Sequence, residues 1–431
     1  MPLPAGDPNA LYARAVAEAG TLPPDTVRAT LEAGLAGRFA GQHLLILIPD
    51  HTRSLPLPQL FDAAVDLLDD AASLTFMVAL GTHPPLDPAR LARLVGRSEA
   101  DLAALAPRVR VVNHDWANPD ALVTLGTLSR ERIQAIAGDR WHPTLGDGAT
   151  VRIQRAVLEH DAVLILGPTF PHEVVGYSGG HKYFFPGVSD GDMIDVTHWL
   201  GALAGVRRTI GVADTPVRAM IEAAAELVPT PTTLASMVVE GGDLAALFVG
   251  PPFDAWRAAV AVSSQRHVRW VDRPFHTVLS TAPPMYDELW TAGKAMYKLE
   301  PALAEGGELI IYAPHLEVVS HVHGRWIEEV GYHVLPYFLE QWDRFAHVPL
   351  GVLAHSTHVR GDGAMVDGVE VPRATVTLAS KIPPETCAAL NLGYRDPAGI
   401  DPATYQGRED EGVLYVEKAG ETLYKLREDA A

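Results

Sequence analysis

The chain has 431 residues, more than the roughly 250–300 at which a single hydrophobic core stops growing, so two domains are expected. Hydrophobic residues make up 48% and charged residues 20%, ordinary globular usage that excludes disorder as the main state. The net charge of −19 repels phosphate backbones and anionic membranes, which argues against a nucleic-acid or membrane partner. An anionic substrate must then be captured by local cations.

Taken in chain order, Met1-Pro2-Leu3-Pro4 lacks the basic and apolar regions of a signal peptide. No uncharged run reaches the roughly 20 residues of a membrane span. Short apolar runs follow, spaced by Ala- and Leu-rich stretches. Residues 44–48, 74–80, 109–112 and 162–166 read as buried strands, and residues 59–70 and 88–106 as helices. This is the rhythm of a parallel sheet with helices on both faces. A second set begins near residue 275, with strands expected at 277–281, 309–312, 352–354 and 375–378 and helix pieces at 301–305, 325–329 and 337–344. The Pro/Gly-rich stretch 249–254 and Arg273-Pro274 are linker candidates, and the segment 412–426 can pack on either side. The expected fold is α/β, with an N-terminal parallel sheet flanked by helices (residues 1–270), a smaller α/β C-terminal domain (residues 271–431), and a site in the cleft between them. The one cysteine, Cys387, excludes an intrachain disulfide or a thiolate metal cluster and fits a reduced, cytoplasmic compartment.

Ligands of open α/β sheets bind beyond the carboxyl ends of the strands. The four N-terminal strands end in Asp50-His51-Thr52-Arg53, Gly81-Thr82-His83, Asn113-His114-Asp115 and Pro168-Thr169-Phe170-Pro171-His172. The densest segment follows: His172, Gly176, Gly179, Gly180, Lys182, Pro186-Gly187, and His198 on a helix expected over 193–203 with Asp190 or Asp192 as N-cap. Glycines there permit positive φ and close backbone approach. Lysine is scarce, six in the chain, so a motif-bound lysine is informative, since its amine forms covalent adducts that a guanidinium does not. A Walker loop, a Gly-x-Gly-x-x-Gly dinucleotide loop and a His-Glu-x-x-His zinc site are all absent from the segment.

The segment resembles the lactate racemase family, whose cofactor is a nickel-pincer nucleotide. The resemblance rests on His172, Gly176-Tyr177-Ser178-Gly179-Gly180-His181-Lys182, Pro186-Gly187 and His198. It is extended by Asp50-His51-Thr52-Arg53, Gly81-Thr82-His83, Glu305-Gly306-Gly307 and Asn391-Leu392-Gly393-Tyr394, in order over most of the chain. It implies an isomerase, a racemase or epimerase acting at C2 of a 2-hydroxyacid. Residues 1–270 would bind the cofactor and carry catalysis, and residues 271–431 would add substrate contacts. Lys182 would hold the cofactor through a thioamide, Asp50, Thr52, Gly179 and Gly180 would bind it, and His198 would ligate nickel. His83 and His172 would be the acid/base pair. Arg53 and Lys294 would bind the substrate, with Trp290, Thr291 and His181 beside it. Partners would be a small-molecule 2-hydroxyacid and the cofactor-synthesis enzymes that mature the protein.

The chemistry suits these residue types. A weakly acidic C2 hydrogen leaves more readily as hydride once the hydroxyl proton is taken, and a pyridinium-like ring can store it, much as a nicotinamide does. Each isomer needs its own base near the hydroxyl, hence two histidines, whose imidazoles titrate near working pH. Arg53 can clamp a carboxylate through two parallel bonds, and a neutral imidazole is a good nickel ligand. One departure stands out: the family's second-domain Tyr-Gln is Trp290-Thr291 here, which points to a larger 2-hydroxyacid or a sugar acid as readily as to lactate. His321 and His323, and His355 and His358, can line the cleft or bind metal. A non-catalytic cofactor-binding homologue would not need two bases, and a nicotinamide dehydrogenase would need the missing glycine pattern.

Overall fold

The computed structural model describes residues 3–81 and 83–430. Met1-Pro2 and Thr82 of the Gly81-Thr82-His83 element lie outside the described residues. Among those described, no helix is long and apolar enough to cross a membrane.

The first sheet has seven strands in the order Ala13–Val16, Asp243–Gly250, Thr232–Glu240, Ala162–Pro168, His43–Ile48, Ser73–Val78 and Val109–Asn113. The five from Thr232–Glu240 onward are parallel, and the first two add an antiparallel edge. The central run Leu44–Ile48 alternates between two apolar clusters, with Leu45 and Leu47 on one face and Leu44, Ile46 and Ile48 on the other. Both faces are therefore covered, as a continuous apolar run in a parallel strand requires. The second sheet is parallel throughout, in the order Gly393–Tyr394, Thr375–Ser380, Leu303–Ala313, Phe275–Thr281 and Val413–Val416. Sheet membership changes between Gly250 and Phe275.

Several sequence expectations are corrected. The stretch 88–106 is two helices, Pro88–Leu94 and Glu99–Leu105, because Gly96 takes φ +70° and Ser98 opens the second helix with a capping box. Residues 352–354, read as a strand, lie inside the buried helix Leu350–Arg360; a short apolar run does not separate the two states. Residues 301–305, read as helical, form a single 3-10 turn running into the strand Leu303–Ala313. The stretch 249–254 is no linker: Val249 and Gly250 finish the strand Asp243–Gly250, and Pro252 opens the helix Pro252–Arg266. The segment 412–426 packs on both sides. Val413–Val416 joins the second sheet, Leu423–Leu426 pairs with Val268–Val271, and the Lys425 amine reaches the Ile210 carbonyl. The strands Thr232–Glu240 and Asp243–Gly250 are not among those the sequence predicts. They turn through Gly241 and Gly242, both at positive φ.

Two features position the site. Strand order turns back between His43–Ile48 and Ala162–Pro168, a switch point whose carboxyl ends open a crevice. The helix Gly191–Ala204, capped by Asp190 at Met193 N–H, then meets Leu350–Arg360, where Asp195 accepts from Gly351 N–H at 2.8 Å.

Candidate active site

A cavity of about 540 Å³ opens at that crevice. The first strand end supplies Asp50, Thr52 and Arg53; the second, His83; and the loop after Ala162–Pro168, His172, Gly179 and Lys182. His198 enters from the helix Gly191–Ala204, and Trp290, Thr291 and Lys294 from the short helices Leu289–Ala292 and Lys294–Tyr297. The third strand end contributes structure instead: Asn113 ties down Leu86 through two hydrogen bonds and His114 holds the Ser189 carbonyl at 2.9 Å, while Trp116 reaches the cavity.

Two expected residues stand outside. His181 lies on the same 3-10 turn as Lys182, Gly180–Tyr183, but its Nδ1 is 2.5 Å from Glu222 Oε2. Gly180 packs on Trp256, where a Cβ would come within 3.0 Å of the ring. Packing within the chain also requires the motif glycines. Gly176, at φ +85°, has no room for a Cβ because the Val212 carbonyl would lie 1.8 Å away, and Gly179 faces Thr169.

Asp50 Oδ1 accepts from the Thr52 backbone N–H at 3.0 Å and its hydroxyl at 2.7 Å, while Oδ2 lies 2.5 Å from His83 Nδ1. Burial alone would raise the Asp50 carboxyl, but the attraction of His83, its hydrogen bond, Thr52 and Arg53 outweigh it and hold the group well below the usual carboxylate range. A carboxylate there accepts a hydrogen bond from Nδ1–H and leaves Nε2 as the acceptor of the neutral His83 ring. His172 has the opposite arrangement. Val174 N–H donates to His172 Nδ1 at 3.2 Å, and Glu173 Oε2 lies 3.3 Å from the same nitrogen; where the backbone bond is kept, the neutral ring carries its proton on Nε2. Burial, then Lys182 and Arg53, hold His172 well below 6.5.

His198 Nδ1 donates to the Ile194 carbonyl at 2.7 Å, which leaves Nε2 with its lone pair, the tautomer a metal ligand needs. Burial, then Lys182, lowers it to about 4, so the neutral ring is available. Among the described residues no group of three His, Cys, Asp or Glu side chains is arranged to hold a metal ion alone. The donor set thus suits a metal that arrives with other donors. Lys182 is brought down to about 8 by burial and then Arg53. Lys294 is brought to about 7 by the same two causes, and its amine is buried without a hydrogen-bond partner, 4.8 Å above the Tyr286 ring. A buried amine with no partner beside an arginine is a site short of an anion. In a chain of net charge −19, this is a local concentration of cationic side chains.

The sequence reading missed Glu173, Tyr297 and Lys298. Glu173 borders the cavity among Lys182, Lys298 and Tyr297, and the Lys298 amine donates to the Pro171 carbonyl, fixing the loop that carries His172. Of the histidines left open, His323, His355 and His358 border the cavity, while His321 is partly exposed beside Asp287. Burial lowers His323 to about 4 and His358 to about 3, and holds His355 well below 6.5. These rings take up protons in the unfolded chain before they do so in the fold. Stability should therefore be complete above about pH 6.5 and fall as pH drops toward 4, by at most about 1.4 kcal/mol per histidine and pH unit. Urea denaturation at pH 7.5, 6.5 and 5.5 measures this; a flat profile would show the rings to be solvated in the folded state.

Comparison with known proteins adds three findings. A family model for the lactate racemase N-terminal domain matches residues 30–137 and 143–211. A lactate racemase from Thermoanaerobacterium thermosaccharolyticum is 24% identical over 161 residues, 36% of this chain and 32% of that protein, so the match spans about a third of the curated relative. Among solved structures, a Thermotoga maritima protein superposes with TM-score 0.85 at 30% identity, over 95% of this chain and 100% of the other. The lactate racemase apoprotein from T. thermosaccharolyticum superposes with TM-score 0.69 at 16% identity, over 96% and 100%, a likeness of fold.

Proposed function

The chain belongs to the lactate racemase family, and from that premise we propose that it is a racemase or epimerase inverting C2 of a 2-hydroxyacid, with a nickel-pincer nucleotide held in this cavity. One arrangement carries the reading: His83, backed by Asp50, and His172, beside Val174 N–H and Glu173, border a single cavity that also holds a partnerless buried amine.

Lys182 would attach the group, and His198 Nε2 would face its metal. When bound, the group supplies a reversible acceptor for the C2 hydrogen as hydride. The chain's own residues do the rest. Arg53 and Lys294 clamp the substrate carboxylate, with Arg53 offering a paired fork and Lys294 a point charge. An anion there also restores the charge that burial drives off Lys294. His83 Nε2, backed by Asp50, takes the hydroxyl proton of one isomer, and His172 is the acid/base group on the other side. Trp116, Trp290 and Trp326 border the cavity and limit water around the reacting carbon. The single cysteine is buried, which suits the cytoplasmic location proposed for a protein matured by cofactor-synthesis enzymes.

The test is to produce the protein together with those enzymes, measure nickel per chain, and follow loss of optical activity of pure 2-hydroxyacids without added nicotinamide. One nickel per chain with inversion at C2 is expected. A nickel-loaded protein that inverts no 2-hydroxyacid would sink the proposal.

A further inference from the structure

Each of the two acid/base histidines has a carboxylate within reach of Nδ1, and the mechanism above uses only one of them. For His83 it is Asp50, with Oδ2 at 2.5 Å. For His172 it is the next residue in the chain, Glu173, with Oε2 at 3.3 Å. His172 and Glu173 are both largely buried and both border the cavity. Residues from the other half of the chain fix Glu173 where it stands. The Tyr297 hydroxyl donates to it, and burial, then Glu173 itself, holds that phenol well above 10, so it keeps the proton for this bond. Lys298 faces Glu173 as well, with its amine on the Pro171 carbonyl.

Two groups compete for His172 Nδ1. Val174 N–H, 3.2 Å away, needs a lone pair there. Glu173 Oε2 needs a proton there. One nitrogen of a neutral ring cannot serve both. With the Val174 bond made, Nε2 carries the proton and cannot accept one from a substrate hydroxyl. With the Glu173 bond made, Nδ1 carries the proton and Nε2 is the acceptor, the state that Asp50 gives His83. The energies oppose one another. A bond to a carboxylate is stronger than a neutral one, but giving up the backbone bond leaves an N–H of the buried Val174 without its partner.

We propose that Glu173 is the positioning residue of His172: it draws the ring proton to Nδ1 and so frees Nε2 to act as the base for the second isomer. The assignment rests on the C2-inverting reading above and adds the group that sets the ring's tautomer. In the step itself the substrate hydroxyl gives its proton to Nε2 while Nδ1 keeps its own, and the ring becomes an imidazolium bonded to Glu173. In the opposite direction Nε2 returns that proton to the substrate oxygen. Glu173 takes up no proton in either. Burial, Lys182 and Arg53 all act against a charged His172, and a carboxylate at Nδ1 is the group that offsets them.

Two readouts test this. The first uses the full chain without cofactor, its histidine rings labelled with nitrogen-15, and His172→Gln to identify the His172 signals. Near neutral pH the wild-type ring nitrogens should show exchange between both tautomers, and Glu173→Met should move them to the pure Nε2–H pattern. The second mixes nickel-loaded enzyme in single turnovers with each pure isomer of lactate, or of malate where lactate is not inverted. Glu173→Met should slow the half-reaction from the isomer that depends on His172 by about 10²-fold and that from the other by less than about threefold, with nickel per chain retained. Glu173→Gln keeps the shape and offers a weaker, uncharged acceptor, so it should fall between wild type and Glu173→Met in both readouts. Identical ring spectra in wild type and both variants would overturn the assignment and leave the C2-inverting reading standing, as would equal losses from the two isomers. Loaded enzyme that inverts no 2-hydroxyacid would remove that reading and the assignment together, whatever the spectra show.

Discussion

Lys182→Ala should leave matured protein at the mass of the bare polypeptide and reduce C2 inversion by on the order of 10³-fold or more, toward the 10⁶ scale seen when a covalent catalytic residue is removed. The argument starts from the local fold. Successive side chains on the 3-10 turn Gly180–Tyr183 point about 120° apart, so Lys182 borders the cavity while His181 is tied to Glu222. The turn is stiff, because Gly187 N–H donates to the Lys182 carbonyl at 3.1 Å and a Cβ on Gly187 would lie 2.3 Å from the Tyr183 carbonyl. Burial and Arg53 bring the amine to about 8, so a sizeable fraction is neutral and nucleophilic near neutral pH, as a residue forming a covalent link must be. Lys182→Arg separates the two uses of the side chain. It keeps the cation that helps hold His172 and His198 neutral but cannot form the link. Intact-mass spectrometry and an inversion assay on both variants read the outcome. Full-mass adduct on Lys182→Arg would show that another residue carries the group.

The first sheet was legible because its strands are buried on both faces and so read as unbroken apolar runs, and strand-end loops rich in ionisable groups then located the crevice. The second half of the site was legible only in part: Trp290, Thr291 and Lys294 were expected at the cavity they border, but the helix that carries His355 and His358 was not seen. The stretch around Val352–Ala354 is apolar and short, so its period could not be seen, and reading it as a strand set His355 and His358 on no common face. Read as the helix it is, their spacing of three would have marked them as neighbours. Asp50 was assigned to the nucleotide, yet its oxygens serve Thr52 and His83. An Asp followed two positions later by Thr is itself the signature of a side chain bonding its own backbone, a signal present in the sequence. The use of Glu173, Tyr297 and Lys298 arises from packing across residues more than a hundred positions apart, which no local pattern carries.

The largest mechanistic asymmetry should appear between His83 and His172. In the structure His83 presents an acceptor nitrogen, because Asp50 binds the proton on the other one, and His172 presents a donor, because Val174 N–H occupies its acceptor. One isomer therefore meets a base ready to take its hydroxyl proton, and the other meets a ring whose proton must first move from Nε2 to Nδ1. Steady-state kcat/KM cannot reveal this, since the equilibrium constant ties the two net directions together and any mutation lowers both equally. Single-turnover mixing with each pure C2 isomer can, because it reads proton abstraction from one side at a time. His83→Ala should slow the half-reaction from one isomer by about 10²–10⁴-fold, the usual worth of a general base, and slow that from the other less. His172→Ala should reverse the preference. Asp50→Asn should reproduce the His83→Ala pattern with the imidazole still present, since an amide that donates to Nδ1 forces the proton onto Nε2 and removes the acceptor. Equal losses for both isomers in all three variants would mean that a single base, or water, serves both faces of the substrate.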